Sequence, residues 1–227
     1  MSSLRRILVF DVNETMLDVN ALEPHFARVF GDGRVLRDWF STVLLYSNVV
    51  TVAGPYADFG ALGGAALDMV AAAHGVTPST DQRDRILNGM RALPAHTDVR
   101  PALERLRDGG FRLVTLTNSA PAAVEHQLKN AGLADLFEQS FSVDAVRRFK
   151  PAPEPYQHVA QQLGVPPGNL RMIAAHAWDI VGALRAGYAA AFIARNGKAM
   201  FPLGPQPDIV AADLHVAATK ILELDVA

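Results

Sequence analysis

Asp11 has the most chemistry to offer, because it directly follows the apolar run Ile7-Leu8-Val9-Phe10 and so places a carboxylate where a buried strand should end. Such a carboxylate can attack carbon or phosphorus, splitting one hard hydrolysis into the formation and the breakdown of an ester. It can equally be a structural aspartate that caps the next turn, and the residue alone does not separate the two. Around it stands the cluster Asp11-Val12-Asn13-Glu14-Thr15, and three further polar clusters follow along the chain: Thr117-Asn118-Ser119, Arg148-Phe149-Lys150-Pro151 and His176-Ala177-Trp178-Asp179. In an open α/β sheet the ligand site lies beyond the carboxyl ends of the strands, so clusters far apart in sequence would meet there.

The elements that must position these clusters are legible from pattern. Apolar runs of the Ile7–Phe10 kind recur from Phe111 to Leu116, Leu170 to Ala175 and Ala190 to Ala194, as expected of parallel strands buried on both faces. Helical patterns lie between them, from Ala120 to Ala131, Glu154 to Leu163 before Gly164, and Asp179 to Ala186 before Gly187. The alternation predicts an α/β fold with a doubly wound parallel sheet and right-handed crossovers. From about Leu17 to Ala95 the rhythm breaks. Apolar residues there follow helical spacing (Leu22, Phe26, Val29, Phe30; Trp39, Phe40, Val43, Leu44) with no strand run, which predicts an inserted all-helical cap. The stretch Gly60 to Leu67 is rich in small residues that let helices approach closely, although its three glycines count against a helix. Leu93 to Pro101, with two prolines, reads as the return linker. The expected organisation is a catalytic core of residues 1–16 and 96–227 with a helical cap of residues 17–95.

Composition narrows the function classes. A length of 227 residues suits one core with an appendage. Half of the residues are hydrophobic (50%), but the runs are interrupted and fall far short of the ~20 apolar residues of a membrane span. The start, Met-Ser-Ser-Leu-Arg-Arg before Ile7, lacks a small-residue cleavage site and reads as the approach to a strand rather than a signal peptide. The absence of cysteine removes disulfides, thiolate metal sites and cysteine nucleophiles, and fits a cytoplasmic location. A formal charge of -2 supplies no basic footprint for nucleic acid, leaving a small molecule as the expected substrate.

The four clusters, in this order and spacing, resemble the four motifs of the haloacid dehalogenase superfamily. The most similar branch is that of the type II L-2-haloacid dehalogenases, whose helical cap follows the first motif, and the resemblance covers nearly the whole chain. It implies that Asp11 is a covalent nucleophile and that Lys150 keeps it charged and aimed, with Asp179 positioning the lysine. Thr117 and Asn118 would meet the substrate carboxylate, a role compatible with capping the helix ahead of Pro121. Val12 joins the same substrate set, and Tyr156, six residues after Lys150, either matches a tyrosine common in these enzymes or is an ordinary core residue. Members that transfer phosphoryl groups carry a second aspartate two residues after the nucleophile, which protonates the leaving oxygen. Here that residue is Asn13, which cannot donate such a proton, and a halide needs none. A phosphoryl site also gathers carboxylates around magnesium, whereas the fourth cluster supplies only Asp179. The expectation is hydrolytic dehalogenation of a small 2-haloalkanoic acid through an aspartyl ester, with no metal or other cofactor, by a homodimer. A small-molecule phosphatase and a non-catalytic relative are the rivals.

Two departures from that pattern carry further expectations. The relatives place an arginine directly after a tryptophan in the first cap helix, and here the pair is Trp39-Phe40. The halide would then rest against the electropositive ring edges of Phe40, Phe59 and Trp178. Phe40 reads equally as a cap-core residue, and Arg37, on a neighbouring turn, is a poor substitute for the arginine. The relatives often show Ser-Ser-Asn before Ala-Trp-Asp and Gly before the threonine of the first motif; this chain has Ala174-Ala175-His176 and Glu14. The pair suggests that Glu14 orients and charges His176, and that His176 is the general base for the water that hydrolyses the Asp11 ester. The plainer alternative has His176 bonding loop backbone and Glu14 capping a hinge.

Overall fold

The computed structural model describes residues 5–225. Six parallel strands form one sheet: β1 (Ile7–Phe10), β2 (Leu113–Thr117), β3 (Gln139–Ser142), β4 (Leu170–Ala174), β5 (Ala189–Ile193) and β6 (Ile209–Ala211), in the spatial order β3-β2-β1-β4-β5-β6. The chain winds outward from β1 to β3, then returns to the far side of β1 and winds out through β6. The strand order therefore reverses between β1 and β4, where such sheets open a crevice for ligand. Every residue of β1, β2 and β4 is buried, which is why their sequences are mainly apolar rather than alternating, with Thr115, Thr117 and Arg171 the polar exceptions. Side chains such as Leu8, Phe10, Met172 and Ile173 have no exposure, and each stabilises the sheet by about 1.5–3 kcal/mol relative to leaving it in water.

Helices α1 (Glu23–Phe30), α2 (Val35–Ala53), α3 (Phe59–Ala73) and α4 (Thr80–Gly89) lie between β1 and β2, and α5 (Val99–Asp108) follows before the sheet resumes. Local sequence explains their limits. Pro24 opens α1 and Gly31, at φ 77°, ends it in the left-handed conformation that glycine adopts without a Cβ clash. Ser79 and Gln82 close a reciprocal capping box at the start of α4. Packing on α2 holds α3 despite its glycines: the Trp39 indole N–H donates to the Gly63 carbonyl at 2.9 Å. Close approach of α2 and α3 offsets the ~1 kcal/mol that a mid-helix glycine costs. The two chain crossings between the helical unit and the sheet run side by side. Leu17 bridges Ala95, the Asp18 N–H donates to the Pro94 carbonyl (2.8 Å), and the His96 N–H donates to the Met16 carbonyl (2.9 Å).

The remaining helices, α6 (Pro121–Asn130), α7 (Pro153–Leu163), α8 (Ala177–Arg185) and α9 (Leu214–Leu224), cover the sheet. Strands β3 (Gln-Ser-Phe-Ser) and β6 (only Ile-Val-Ala), short and partly exposed, were not expected from the sequence. No described helix is long and apolar enough to cross a membrane.

Candidate active site

Asp11 is the first residue past β1, and its N–H is still tied to the Ile173 carbonyl of β4 at 3.0 Å. The carboxylate thus opens at the β1/β4 switch point, 5% exposed. Lys150 Nζ donates to Asp11 Oδ1 (2.9 Å), while Thr15 Oγ1 (2.7 Å) and His176 Nδ1 (3.1 Å) lie on Oδ2. Thr15 is fixed in turn, because its hydroxyl accepts the Ala175 N–H at 2.9 Å. Burial alone would raise the pKa of Asp11. The Lys150 charge outweighs it, with help from His176 and Thr15, and holds the carboxyl well below the usual carboxylate range. A buried, ionised, aimed carboxylate is what nucleophilic attack requires.

Behind it lies a closed arm. Lys150 Nζ also donates to Asp179 Oδ2 (2.6 Å) and to the Leu116 carbonyl (2.8 Å), so all three ammonium protons are used. Burial would lower the lysine pKa, but the charges of Asp11 and Asp179 raise it instead. Asp179, fully buried in the first turn of α8, is pushed up by burial while Lys150 pulls against the shift. Its Oδ1 takes the Tyr156 hydroxyl at 2.6 Å. Tyr156, placed with the substrate contacts but read equally as a core residue, has no exposed surface, and its hydroxyl donates to Asp179.

A second arm leads outward. His176 Nε2 lies 2.6 Å from Glu14 Oε2, and Lys198 Nζ donates to the same oxygen at 2.9 Å. Burial would lower the imidazole pKa, but hydrogen bonds to Asp11 and Glu14 raise it to about 9. With a carboxylate on each ring nitrogen, the free site favours the imidazolium form of His176, as expected of a histidine charged by Glu14. Glu14 is lowered despite burial, chiefly by His176 and then by Lys198. Its backbone sits at φ 62°, the left-handed region that suits glycine and costs other residues about 1–2 kcal/mol. Glu14 holds a strained position in which its side chain reaches His176. Neither Thr15 nor Lys198 was singled out from the sequence. Thr15 stood inside the first cluster, but Lys198, in the loop after β5, belongs to none.

The other expected contacts distribute unevenly. Asn118 Oδ1 accepts the Lys150 N–H at 3.1 Å, and Thr117 Oγ1 accepts the Ser119 N–H at 3.1 Å, so both shape the loop after β2. Val12 is fully buried, and its carbonyl receives the N–H groups of Met16 and Leu17. Trp178 is half-buried and stacks on His176 at 4.9 Å, with Lys150 Nζ 6.0 Å from its ring centre. Phe40 and Phe59 meet edge to face at 6.4 Å, and Phe59 lies 6.2 Å from Phe149, beside Lys150. Arg37 is exposed on α2 and lines a cavity with Glu14 and Lys198.

The donor set does not fit magnesium. An ammonium occupies the position between Asp11 and Asp179, and Asn13 is held by Gln127, which donates to Oδ1 at 3.0 Å, and by Ser119, which accepts from Nδ2 at 3.2 Å. Among the described residues no group of three or more His, Asp or Glu side chains is arranged to hold a metal.

Comparison with known proteins agrees with this geometry. The family model for haloacid dehalogenase-like hydrolases matches residues 6–187. The chain is 33% identical over 195 residues to (S)-2-haloacid dehalogenase 1 of Pseudomonas sp. strain CBS-3, covering 85% of this chain and 86% of that protein. It is 28% identical to haloacetate dehalogenase H-2 of Moraxella sp. strain B, covering 93% of this chain and 97% of that one. L-2-haloacid dehalogenase from Xanthobacter autotrophicus with chloropropionic acid covalently bound superposes with a TM-score of 0.90 at 25% identity, over 97% of this chain and 99% of that one. A buried aspartate at the switch point of a six-stranded parallel sheet, with a family model over residues 6–187 and a relative 33% identical, identifies the chain as a member of the haloacid dehalogenase-like hydrolases.

Proposed function

We propose that this hydrolase removes halide from small (S)-2-haloalkanoic acids through an ester on Asp11. The observation that carries the reading is the Asp11–Lys150–Asp179 line, in which an ammonium takes the place of a metal and holds an ionised carboxylate at 2.9 Å. Asn13 supports it, since an amide tied to Gln127 and Ser119 offers no proton to a phosphate leaving group but is no handicap when halide leaves. Residues 17–95 act as the cap over a core of 1–16 and 96–227, and Phe40, standing where relatives have arginine, presents the halide with a ring edge shared with Phe59.

The cycle begins when an Asp11 oxygen attacks the carbon bearing halogen. The carbon–halogen bond breaks as the carbon–oxygen bond forms, the centre inverts, and halide departs with the electron pair. Esterification removes the negative charge beside His176 Nδ1, which lowers the imidazole pKa and lets the ring shed its Nδ1 proton to water while Nε2–H stays on Glu14. Neutral His176, held by Glu14, then takes a proton from water as the oxygen adds to the Asp11 carbonyl carbon. Collapse expels the alkoxide, which collects the remaining proton, leaving a 2-hydroxy acid and the Asp11 carboxylate. The sum is one halide and one proton released per water consumed.

His176→Asn tests the cycle. Given 2-chloropropionate, the variant is expected to release one burst of chloride and to accumulate an Asp11 peptide heavier by the bound acid in the mass spectrum. Normal steady turnover by this variant would overturn the role of His176. In wild type, a single turnover in labelled water should place the label in Asp11 first; its direct appearance in product would end the covalent reading.

A further inference from the structure

The Phe149-Lys150 stretch, which carries the ammonium to Asp11, is held from the helical unit as well as from the core. On the core side the Lys150 N–H donates to Asn118 Oδ1 at 3.1 Å. One residue earlier the Phe149 N–H crosses to the last turn of α2 and donates to Thr51 Oγ1 at 3.0 Å. Both partners are buried, so this bond cannot be exchanged for one to water, and losing it would leave a buried N–H unmatched. In the segment between α2 and α3, Tyr56 lays its ring on Phe149, with centres 5.1 Å apart and planes 26° apart, and donates its hydroxyl to Asp144. The Arg147 guanidinium lies over the Tyr56 ring at 5.3 Å. Arg147 itself takes up φ 52°, a left-handed backbone that a side chain keeps only where its surroundings hold it.

We propose that Thr51 and Tyr56 are positioning residues for the first chemical step: seated on the sheet, the helical unit sets the backbone just before Lys150 and so aims its ammonium at Asp11. The inference rests on the dehalogenation reading and on residues 17–95 acting as the cap. Asp11 is only 5% exposed, so a haloacid reaches it when the helical unit lifts from the sheet. Lifting withdraws Thr51 from the Phe149 N–H and Tyr56 from Asp144, and the segment that carries Lys150 loses two of its ties. Seating restores them with the substrate inside, so the nucleophile is fully aimed only in a site closed to water. The tip of Lys150 has little slack, since its three bonds measure 2.6–2.9 Å. Misplacing a positioning group by about 1 Å can cost on the order of 10²-fold in rate. The His176 arm takes no part in this brace, because its groups follow β1, β4 and β5 and bond to one another. The second step should therefore be insensitive to Thr51 and Tyr56.

Rapid-quench kinetics at saturating 2-chloropropionate, reading halide and Asp11 ester, compare wild type with Thr51→Val, Thr51→Ser and Tyr56→Phe. Valine keeps the shape of Thr51 but removes the acceptor, so the rate constant of the halide burst should fall about tenfold while ester decay stays within about twofold of wild type. Serine keeps the hydroxyl and should restore the burst. Phenylalanine keeps the stack on Phe149 and loses only the bond to Asp144, so its burst should slow about threefold. The burst rate constant reports folded enzyme alone, so lost stability does not lower it by itself. A less stable Thr51→Val that attacks at the wild-type rate would overturn the proposal, since the bond would then only join two parts of the chain. An equal fall in burst and decay, or a serine variant as slow as the valine one, would overturn it too. Should Thr51→Val fail to fold, Tyr56→Phe decides by the same split, and a burst at the wild-type rate overturns the proposal. Absence of halide and ester in wild type would instead mark failure of the dehalogenation reading on which this one rests.

Discussion

The two arms that grip Asp11 are built on opposite principles. The Lys150 arm is closed: Lys150, Asp179 and Tyr156 are all buried, every donor is matched at 2.6–2.9 Å, and nothing in it can change protonation without leaving a buried charge unpaired. The His176 arm is open: each group along it is more exposed than the last, from His176 at 5% to Lys198 at 30%. The closed arm can hold a nucleophile ionised indefinitely. Only the open arm has a group that can take up and release a proton, so in the proposed cycle the first step draws on one arm and the second on the other.

The sharpest way to break that division is Lys150→Met. Removing one partner of a buried pair costs about 3–5 kcal/mol of stability. Asp11 and Asp179 would then face each other without the cation and one would bind a proton, as neighbouring buried carboxylates do. The halide burst should fall on the order of 10²–10³-fold, the loss expected when a preorganised charge is removed. Denaturation midpoints and rapid-quench halide measure the two effects. A burst of wild-type size would show that the closed arm does not sustain the nucleophile.

The open arm should reveal itself in the pH dependence of stability. His176 has a folded-state pKa of about 9 against 6.5 for the free side chain. Since the folded value is the higher one, its stabilising contribution is complete below about pH 6.5 and is lost as pH rises through about 9. Relative to His176→Asn, wild type should therefore lose about 3 kcal/mol across that window, since each pH unit between the two values is worth about 1.4 kcal/mol. Urea denaturation of both proteins at several pH values checks this. Parallel curves would mean that His176 is neutral in the folded protein, which would restore the simpler picture of a base ready before substrate arrives.

The closed arm was largely legible in the sequence, while the open one was legible only in part. Asp11, Lys150 and Asp179 each follow a strand or open a helix in a recognisable cluster, and strands buried on both faces write themselves as apolar runs. Glu14 and His176 drew notice as departures from the family pattern, but the protonation of His176 depends on two carboxylates converging on one ring, which no spacing encodes. Lys198 comes from a loop after β5, and only the folded chain brings it to Glu14. Tyr156 was ambiguous for the opposite reason. Its position matches a functional tyrosine and a core residue alike, and only the fold shows it buried with its hydroxyl on Asp179. Between Leu17 and Ala95, Gly60, Gly63 and Gly64 argued against a helix by propensity, and packing of α3 on Trp39, which bonds the Gly63 carbonyl, overrode it.

The smallest expected effect isolates the backbone of the open arm. Glu14→Gly and Glu14→Ala both delete the carboxylate that links His176 to Lys198, so both should slow ester decay to the same extent while leaving the halide burst largely intact. They differ at φ 62°, where alanine keeps the Cβ clash and glycine removes it. Glycine loses more chain entropy on folding, by roughly 0.5–1 kcal/mol, which offsets part of that relief. The glycine variant should nevertheless be the more stable of the two by about 1 kcal/mol, read as a shift in urea midpoint at unchanged slope. Equal stabilities would mean that the left-handed turn costs the chain nothing, and the strain at Glu14 would cease to count as a sign that its side chain is kept to hold His176.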